Sequence, residues 1–415
     1  MSLSETLANA ELRTALALRQ IDELAHGEHS HDHTKAILNE IAKRISENLD
    51  ELKRAAAVNN ADVVRANAAT LILDLDIYLP VLGFILRSSN VRNAFEVFDP
   101  LMAMCKAILG PDVRLIYSSE WDYSPFMQSF SSPKLMNVVV VGLPAHESGN
   151  ALLVPVFGHE LGHAKWRKSD VLSSLKDEIS KTILDYVMDN LDDIVGPDNA
   201  KTYMSEADPR ALVAFMVSEV GEAQDAAELQ CEEVFCDVVG TRIFGASYLR
   251  AFAYLLFPSP AQMERFNFDY PSNGVRIRFM KDAAKHFGTP VSDDFGTDFE
   301  DTPPKDLRPQ MQHVLTAADK ATEAAFPTIL KAVETHLTTS VIPMIDEGKV
   351  KELEAAFAAK GPGNANYALP DIIEAAWRTH LIGLEYGERF ARLQALNEFV
   401  FKTIEVSEFY KRSGG

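Results

Sequence analysis

LLVPVFGHELGHAKWRK, residues 152–168, sets His159, Glu160 and His163 in the pattern H-E-x-x-H. On a helix, positions i and i+4 share a face, so both imidazoles can reach one metal ion. Glu160 follows the first histidine and leans towards water at that metal. Two neutral nitrogen ligands and a carboxylate that takes a proton from water are what a zinc hydrolase requires. In a chain of this histidine and glutamate content, chance produces the pattern roughly 0.02 times.

The surroundings extend this reading. Residues 137–143, NVVVVGL, have the character of a buried strand, and the loop PAHESGN follows. Ser148 or Asn150 can cap the helix, and Pro155 is tolerated only in its first turn. A strand just ahead of the histidine helix offers an edge along which an extended peptide substrate could lie. Gly158 and Gly162 each cost a helix about 1 kcal/mol against alanine, so two in one turn imply close packing around the histidines.

A zinc ion held by two histidines needs a third protein ligand and an open position for water. The long helical run from Leu212 to Phe244 contains EAQDAAELQCEEVFCDVVGTRIFG, in which Glu233 and Asp237 are four residues apart on one face. Glu233 can supply the ligand, and Asp237 can orient an imidazole through its other ring nitrogen. Glu232 competes for the ligand role but points about 100° away. Glu222, Asp225 and Glu228 read as a solvated face, whereas Asp237 lies between Cys236 and Val238 in an apolar run.

H-E-L-G-H followed at a distance by E-x-x-x-D resembles the gluzincins, the thermolysin-like zinc metallopeptidases. The 70-residue gap from His163 to Glu233 is similar to the HtpX and CAAX-prenyl-endopeptidase branch. FDYPSNGVRIRFM, with Pro271, Arg276 and Ile277, resembles that branch's H-P-P-x-x-x-R-[IL] segment. Tyr270 stands where the branch has histidine, Ser272 replaces the second proline, and the branch's membrane spans are missing. The resemblance covers residues 135–280. It implies a zinc-dependent peptidase with His159, His163 and Glu233 on the metal, Asp237 behind them and Glu160 as general base. A donor for the oxyanion of the transition state is also needed, and Tyr270 and Arg276 are the candidates, with Tyr123 in reserve.

The rest of the chain frames this centre. Its 415 residues suffice for two or three domains. A net charge of −20 without a basic run argues against a nucleic-acid partner. The opening MSLSETLANAELRTALALRQ lacks the pattern of a signal peptide, and Ala69 to Leu86, which contains Asp74 and Asp76, reads as a buried helix rather than a membrane span. Cys105, Cys231 and Cys236 have no framework spacing, which fits a cytoplasmic protein.

Residues 1–90 form an N-terminal helical segment, with helices expected at Ser4–Leu24 and Thr34–Ala56. Between them HGEHSHDH (His26, His29, His31, His33) reads as a solvated loop, with a second metal site as the alternative. Residues 91–287 are the expected zincin-like core, with strands at Val113–Tyr117 and Asn137–Leu143. Trp121, Tyr123 and Phe126 either line a substrate cleft or pack beneath a long loop. Residues 288–304 form an acidic linker, and 305–415 a C-terminal helical segment with helices at Pro309–Met344, Lys349–Lys360, Leu369–Leu384 and Glu388–Arg412.

The expected fold is therefore α+β and mainly helical, with a small mixed sheet in a zincin-like core and helical segments on either side. The expected function is zinc-dependent hydrolysis of peptide bonds. The alternative is a non-catalytic zinc-binding regulatory or scaffold protein whose helical flanks hold a partner.

Overall fold

The computed structural model describes residues 3–27, 32–58, 60–87, 95–120, 126–130, 138–144, 147, 149–204, 220–256, 270–299, 307–337, 342–381 and 388–414. Three N-terminal helices come first: α1 (Leu3–Ala25), α2 (Asp32–Ala57) and α3 (Ala61–Arg87). They bury their own apolar cluster, with Ile21, Leu38, Ile45, Leu52 and Leu71 at its centre. Leu12 and Leu16 of α1 belong instead to the main core, so α1 joins the bundle to the rest of the protein. Among the described residues no helix is long and apolar enough to cross a membrane.

After α4 (Phe98–Leu109) come β1 (Arg114–Glu120), β2 (Phe126–Phe130) and β3 (Val138–Pro144). They form a three-stranded sheet in the order β1-β3-β2, with β3 parallel to β1 and antiparallel to β2. β3 is therefore the middle strand. Its ladder bonds are taken on both sides, and the extended-substrate edge expected of it is not available. Among the described residues the edges belong to β1 and β2.

The remaining helices build the centre. α5 (Val156–Arg167) carries the histidine pair, and α6 (Val171–Asp189), α7 (Leu191–Val195) and α8 (Pro197–Met204) follow it. Then come α9 (Gly221–Phe244), α10 (Ala246–Leu255), α11 (Asn273–His286), α12 (Pro309–His336), α13 (Glu347–Ala358), α14 (Leu369–Leu381) and α15 (Arg389–Ser413). From Gln230 to Phe244, α9 buries every residue but Glu232. A helix buried all round must have neighbours on every side. α5, α6, α11, α12 and α14 supply them.

The expected fold class is corrected by these observations. The described residues are 80% helical, so the class is set by helix-on-helix packing rather than by a sheet with helices around it. Of the strand side chains that are described, Leu115, Val139 and Val141 enter the main core. The wall against which the histidine helix chiefly packs is α9, not the sheet. Nor do the C-terminal helices flank a separate core. Ala321, Ile329, Ile373, Trp377 and Val400 share one apolar cluster with Phe157, Val234 and Phe235. The helix expected to reach Met344 ends at His336. Asp346 then caps α13 by accepting from the amides of Gly348 and Lys349.

The acidic stretch is described as far as residue 299, where it folds back as turns on α11. Lys281 donates to the carbonyls of Asp293 and Phe295, and Phe299 is buried in the core.

Two glycines bring α5 and α9 together. A Cβ on Gly158 would stand 3.0 Å from Gly240 Cα, and one on Gly162 would stand 2.6 Å from Cys236 Cα. The second distance is incompatible with any side chain unless a helix shifts. Gly162→Ala is therefore expected to lower stability by about 1–3 kcal/mol, the usual cost of overpacking a close contact. Urea unfolding followed by circular dichroism measures it, and an unchanged midpoint would show that α5 and α9 separate freely.

Candidate metal centre

The centre forms where α5 crosses α9. Asn150 begins the approach: its side chain accepts from the Leu152 amide at 3.2 Å and caps a short 3-10 turn, Ala151–Leu153. Ser148 lies outside the described residues. Pro155 stands at the N-cap of α5, where its missing N–H breaks no helical bond. One turn on, His159 and His163 present their rings edge to face, with centroids 4.9 Å apart.

Each imidazole is held at Nδ1 by a carboxylate of α9. His159 Nδ1 lies 3.0 Å from Asp237 Oδ1, and His163 Nδ1 lies 2.8 Å from Glu232 Oε1. A carboxylate accepts, so Nδ1 carries the proton and the lone pair is left on Nε2. Both Nε2 atoms then face Glu233: His159 Nε2 is 3.4 Å from Oε2, and His163 Nε2 is 3.5 Å from Oε1. The sequence expectation for Glu233 and Asp237 thus corresponds to two distinct positions, one between the rings and one behind the first. Glu232 has a third position, behind the second ring. That pairing is not readable from the chain, because it depends on the rotation of α9 against α5.

Asp237 is the most heavily bonded group in the centre. Tyr248 Oη donates to its Oδ1 at 2.6 Å. Arg276 donates to both oxygens, Nε to Oδ2 at 2.7 Å and a terminal nitrogen to Oδ1 at 2.8 Å. Burial alone would raise the Asp237 pKa. The Arg276 charge and the bonds from His159 and Arg276 overcome it and hold the carboxyl far below the ordinary range. Arg276 also reaches Glu233 Oε2 at 3.2 Å, and its guanidinium lies over the Phe252 ring at 4.8 Å. Its polar groups are thus directed at Asp237 and Glu233.

Tyr270, the other candidate donor, is 46% exposed, and its ring centroid is 5.8 Å from the Arg276 guanidinium carbon. Tyr123 and Trp121 lie outside the described residues, as does the Phe126 side chain. So do His29 and His31 of the histidine-rich loop. Tyr248 had no signal in the sequence. It enters the site because the chain turns at Gly245, whose φ of +57° lets α10 fold back along α9.

The free groups suit a cation. Two imidazole lone pairs and a carboxylate converge, and Glu233 Oε2 is buried without a hydrogen bond. Arg276 is a full positive charge beside it, but that charge is shared between Glu233 and Asp237, so buried negative charge is left over. The His159 ring shows the same demand. Burial would lower its pKa, but the bonds and charges of Asp237 and Glu233 push it up to about 10.

Cys236 offers a different third ligand, since its sulfur and the two histidines present atoms within 4.8 Å of one another. Glu233 is the better fit. Its two oxygens address the Nε2 atoms, whereas the Cys236 sulfur sits 3.1 Å from where a Gly162 Cβ would be, at the back of the helix contact. Burial and then the surrounding carboxylates also raise the Cys236 pKa well above its ordinary value, which disfavours a thiolate.

Two substitution tests follow. Glu233→Ala should abolish zinc uptake, whereas Glu232→Ala and Tyr248→Phe should each weaken it by about 10–100-fold, the range for groups that orient a ligand. Chelator competition separates the two classes, and equal losses at Glu232 and Glu233 would erase the distinction drawn here. Arg276→Ala strands Asp237 as a buried charge and should cost about 3–5 kcal/mol of stability, read by denaturant unfolding. No family model, curated protein or solved structure matches the chain, so the centre is interpreted from its own geometry.

Proposed function

We propose that this protein is a zinc-dependent peptidase whose metal is held by His159, His163 and Glu233, with Glu160 as the general base. The observation that carries this reading is the convergence of both Nε2 atoms on one carboxylate while carboxylates at both Nδ1 atoms fix the tautomers. The resemblance to the gluzincin pattern agrees with that ligand set.

A zinc ion bound there supplies Lewis acidity, polarising a scissile carbonyl and bringing the pKa of water at the site to about 7. Glu160 takes a proton from the attacking water at a carboxylate oxygen and returns it to the leaving amine nitrogen. Its environment suits a proton shuttle, since burial raises the Glu160 pKa. Asp237, Tyr248 and Arg276 keep the first ring in place through turnover. Arg276 acts on Asp237 and Glu233, which leaves Tyr270 as the candidate donor to the oxyanion.

Among the described residues, one strand suits an extended peptide. β2 packs against α5 and, among the described residues, is an edge of the sheet. A substrate pairing with that edge would run alongside the histidine helix.

Glu160→Gln is expected to keep full zinc and the wild-type melting temperature while turnover on an unfolded-protein or peptide-library substrate falls by about 10²–10⁴-fold. Turnover equal to wild type would remove Glu160 from the mechanism. Zinc-loaded wild type that cleaves nothing in either screen would favour the alternative, a zinc-binding regulatory or scaffold protein.

A further inference from the structure

The helix that carries the histidines does not fix its own start. α5 is 12 residues long, its N-cap is Pro155 with no side-chain hydrogen bond, and its first turn has no acidic residue. Gly158 and Gly162 weaken it further. A helix so short is marginal on its own, so its placement has to come from contacts elsewhere.

Those contacts converge on the turn just before it, Ala151–Leu153. Asn397, on α15, accepts the Ala151 amide at its Oδ1 at 3.1 Å, and the indole Nε1 of Trp377, on α14, donates to the Leu152 carbonyl at 2.9 Å. Both side chains are buried. Two consecutive residues are thus clamped by two different helices, 246 and 225 residues further along the chain. A third hold comes from α10. Tyr254 Oη donates to Glu147 Oε1 at 2.8 Å, and Glu147 Oε2 accepts at 2.9 Å from Asn150, the residue that caps the turn.

The turn is coupled stiffly to the metal centre. The amides of Leu153, Val154, Phe157 and Gly158 each bond the carbonyl three residues back. Such tight turns leave little slack between Ala151 and His159, which follows Gly158 directly. A displacement of about 1 Å at a reacting group is enough to cost a large factor in rate.

We propose that Asn397 and Trp377 are positioning residues for the metal centre: by clamping Ala151 and Leu152 they set the placement of His159 and Glu160. They act through the backbone rather than at the ion. The proposal rests on the metal reading above for its zinc measurement, and its first readout needs no metal.

Nitrogen-15 NMR of the histidine rings in the metal-free full chain reports how His159 is held. Asn397→Leu keeps the side chain's volume and removes the acceptor. It should displace the His159 ring signals and weaken zinc binding, read by chelator competition, by roughly tenfold. Asn397→Asp restores an acceptor oxygen and should return both towards wild type. Trp377→Phe keeps an aromatic ring and removes the indole donor. It should displace the same signals, and it decides the matter should the Asn397 variants fail to fold. Wild-type ring signals and zinc affinity in folded Asn397→Leu or folded Trp377→Phe, whatever the melting temperature, would reduce both residues to packing and overturn the proposal. So would equal displacement in Asn397→Asp and Asn397→Leu. Should the wild-type chain take up no zinc, the metal reading fails and the ring signals alone decide the positioning role.

Discussion

The negative charge on Asp237 is the constraint around which the centre is arranged. Its carboxylate is almost wholly removed from water and meets His159 from α5, Tyr248 from α10 and Arg276 from α11. An ionised carboxylate is tolerated at such depth only when every lone pair is answered. Four hydrogen bonds and one full positive charge answer these. The consequence is rigidity: each of the three neighbouring helices is pinned by a polar contact to one turn of α9. The orientation of the first histidine is thereby fixed before any ligand arrives.

Much of the centre was legible in the chain because it depends on helical period alone. His159 and His163, and likewise Glu233 and Asp237, fall one turn apart, and nothing beyond the α-helix is needed to set each pair on one face. What the period cannot supply is the rotation of one helix against another. That rotation gives Glu232 to the second histidine. It also turns Arg276 from a candidate oxyanion donor into the counter-charge of Asp237 and Glu233. Tyr248 was invisible for a related reason, since a tyrosine eleven residues beyond Asp237 returns only because Gly245 reverses the chain.

The fold class was misjudged through weight rather than kind. A run of valines at 138–141 is a strong local signal for a strand, and a strand forms there. The share of the core that a strand commands depends on what packs over it, and small residues decide that here. Gly158, Gly162 and Gly240 let two helices meet almost backbone to backbone, so the principal core interface is helical. Alanines of α12, Ala317, Ala318, Ala321 and Ala325, bury fully and extend the same core. Alanine and glycine carry little hydrophobic signal in a sequence, yet they set how near the large residues can come.

The close meeting of α5 and α9 would also tie occupancy of the proposed metal site to the integrity of the fold. The three proposed ligands come from two helices that are 70 residues apart in the chain from His163 to Glu233, and an unfolded chain cannot hold them together. An ion bound only by the native state adds RT ln(1 + [L]/Kd) to its stability, about 4 kcal/mol when the free ion is a thousandfold above Kd. In such an arrangement the ion is also a cross-link, closing a long loop through the middle of the core. The free zinc concentration around the protein would then set how long each molecule survives unfolding and proteolysis, as well as how many molecules are able to act.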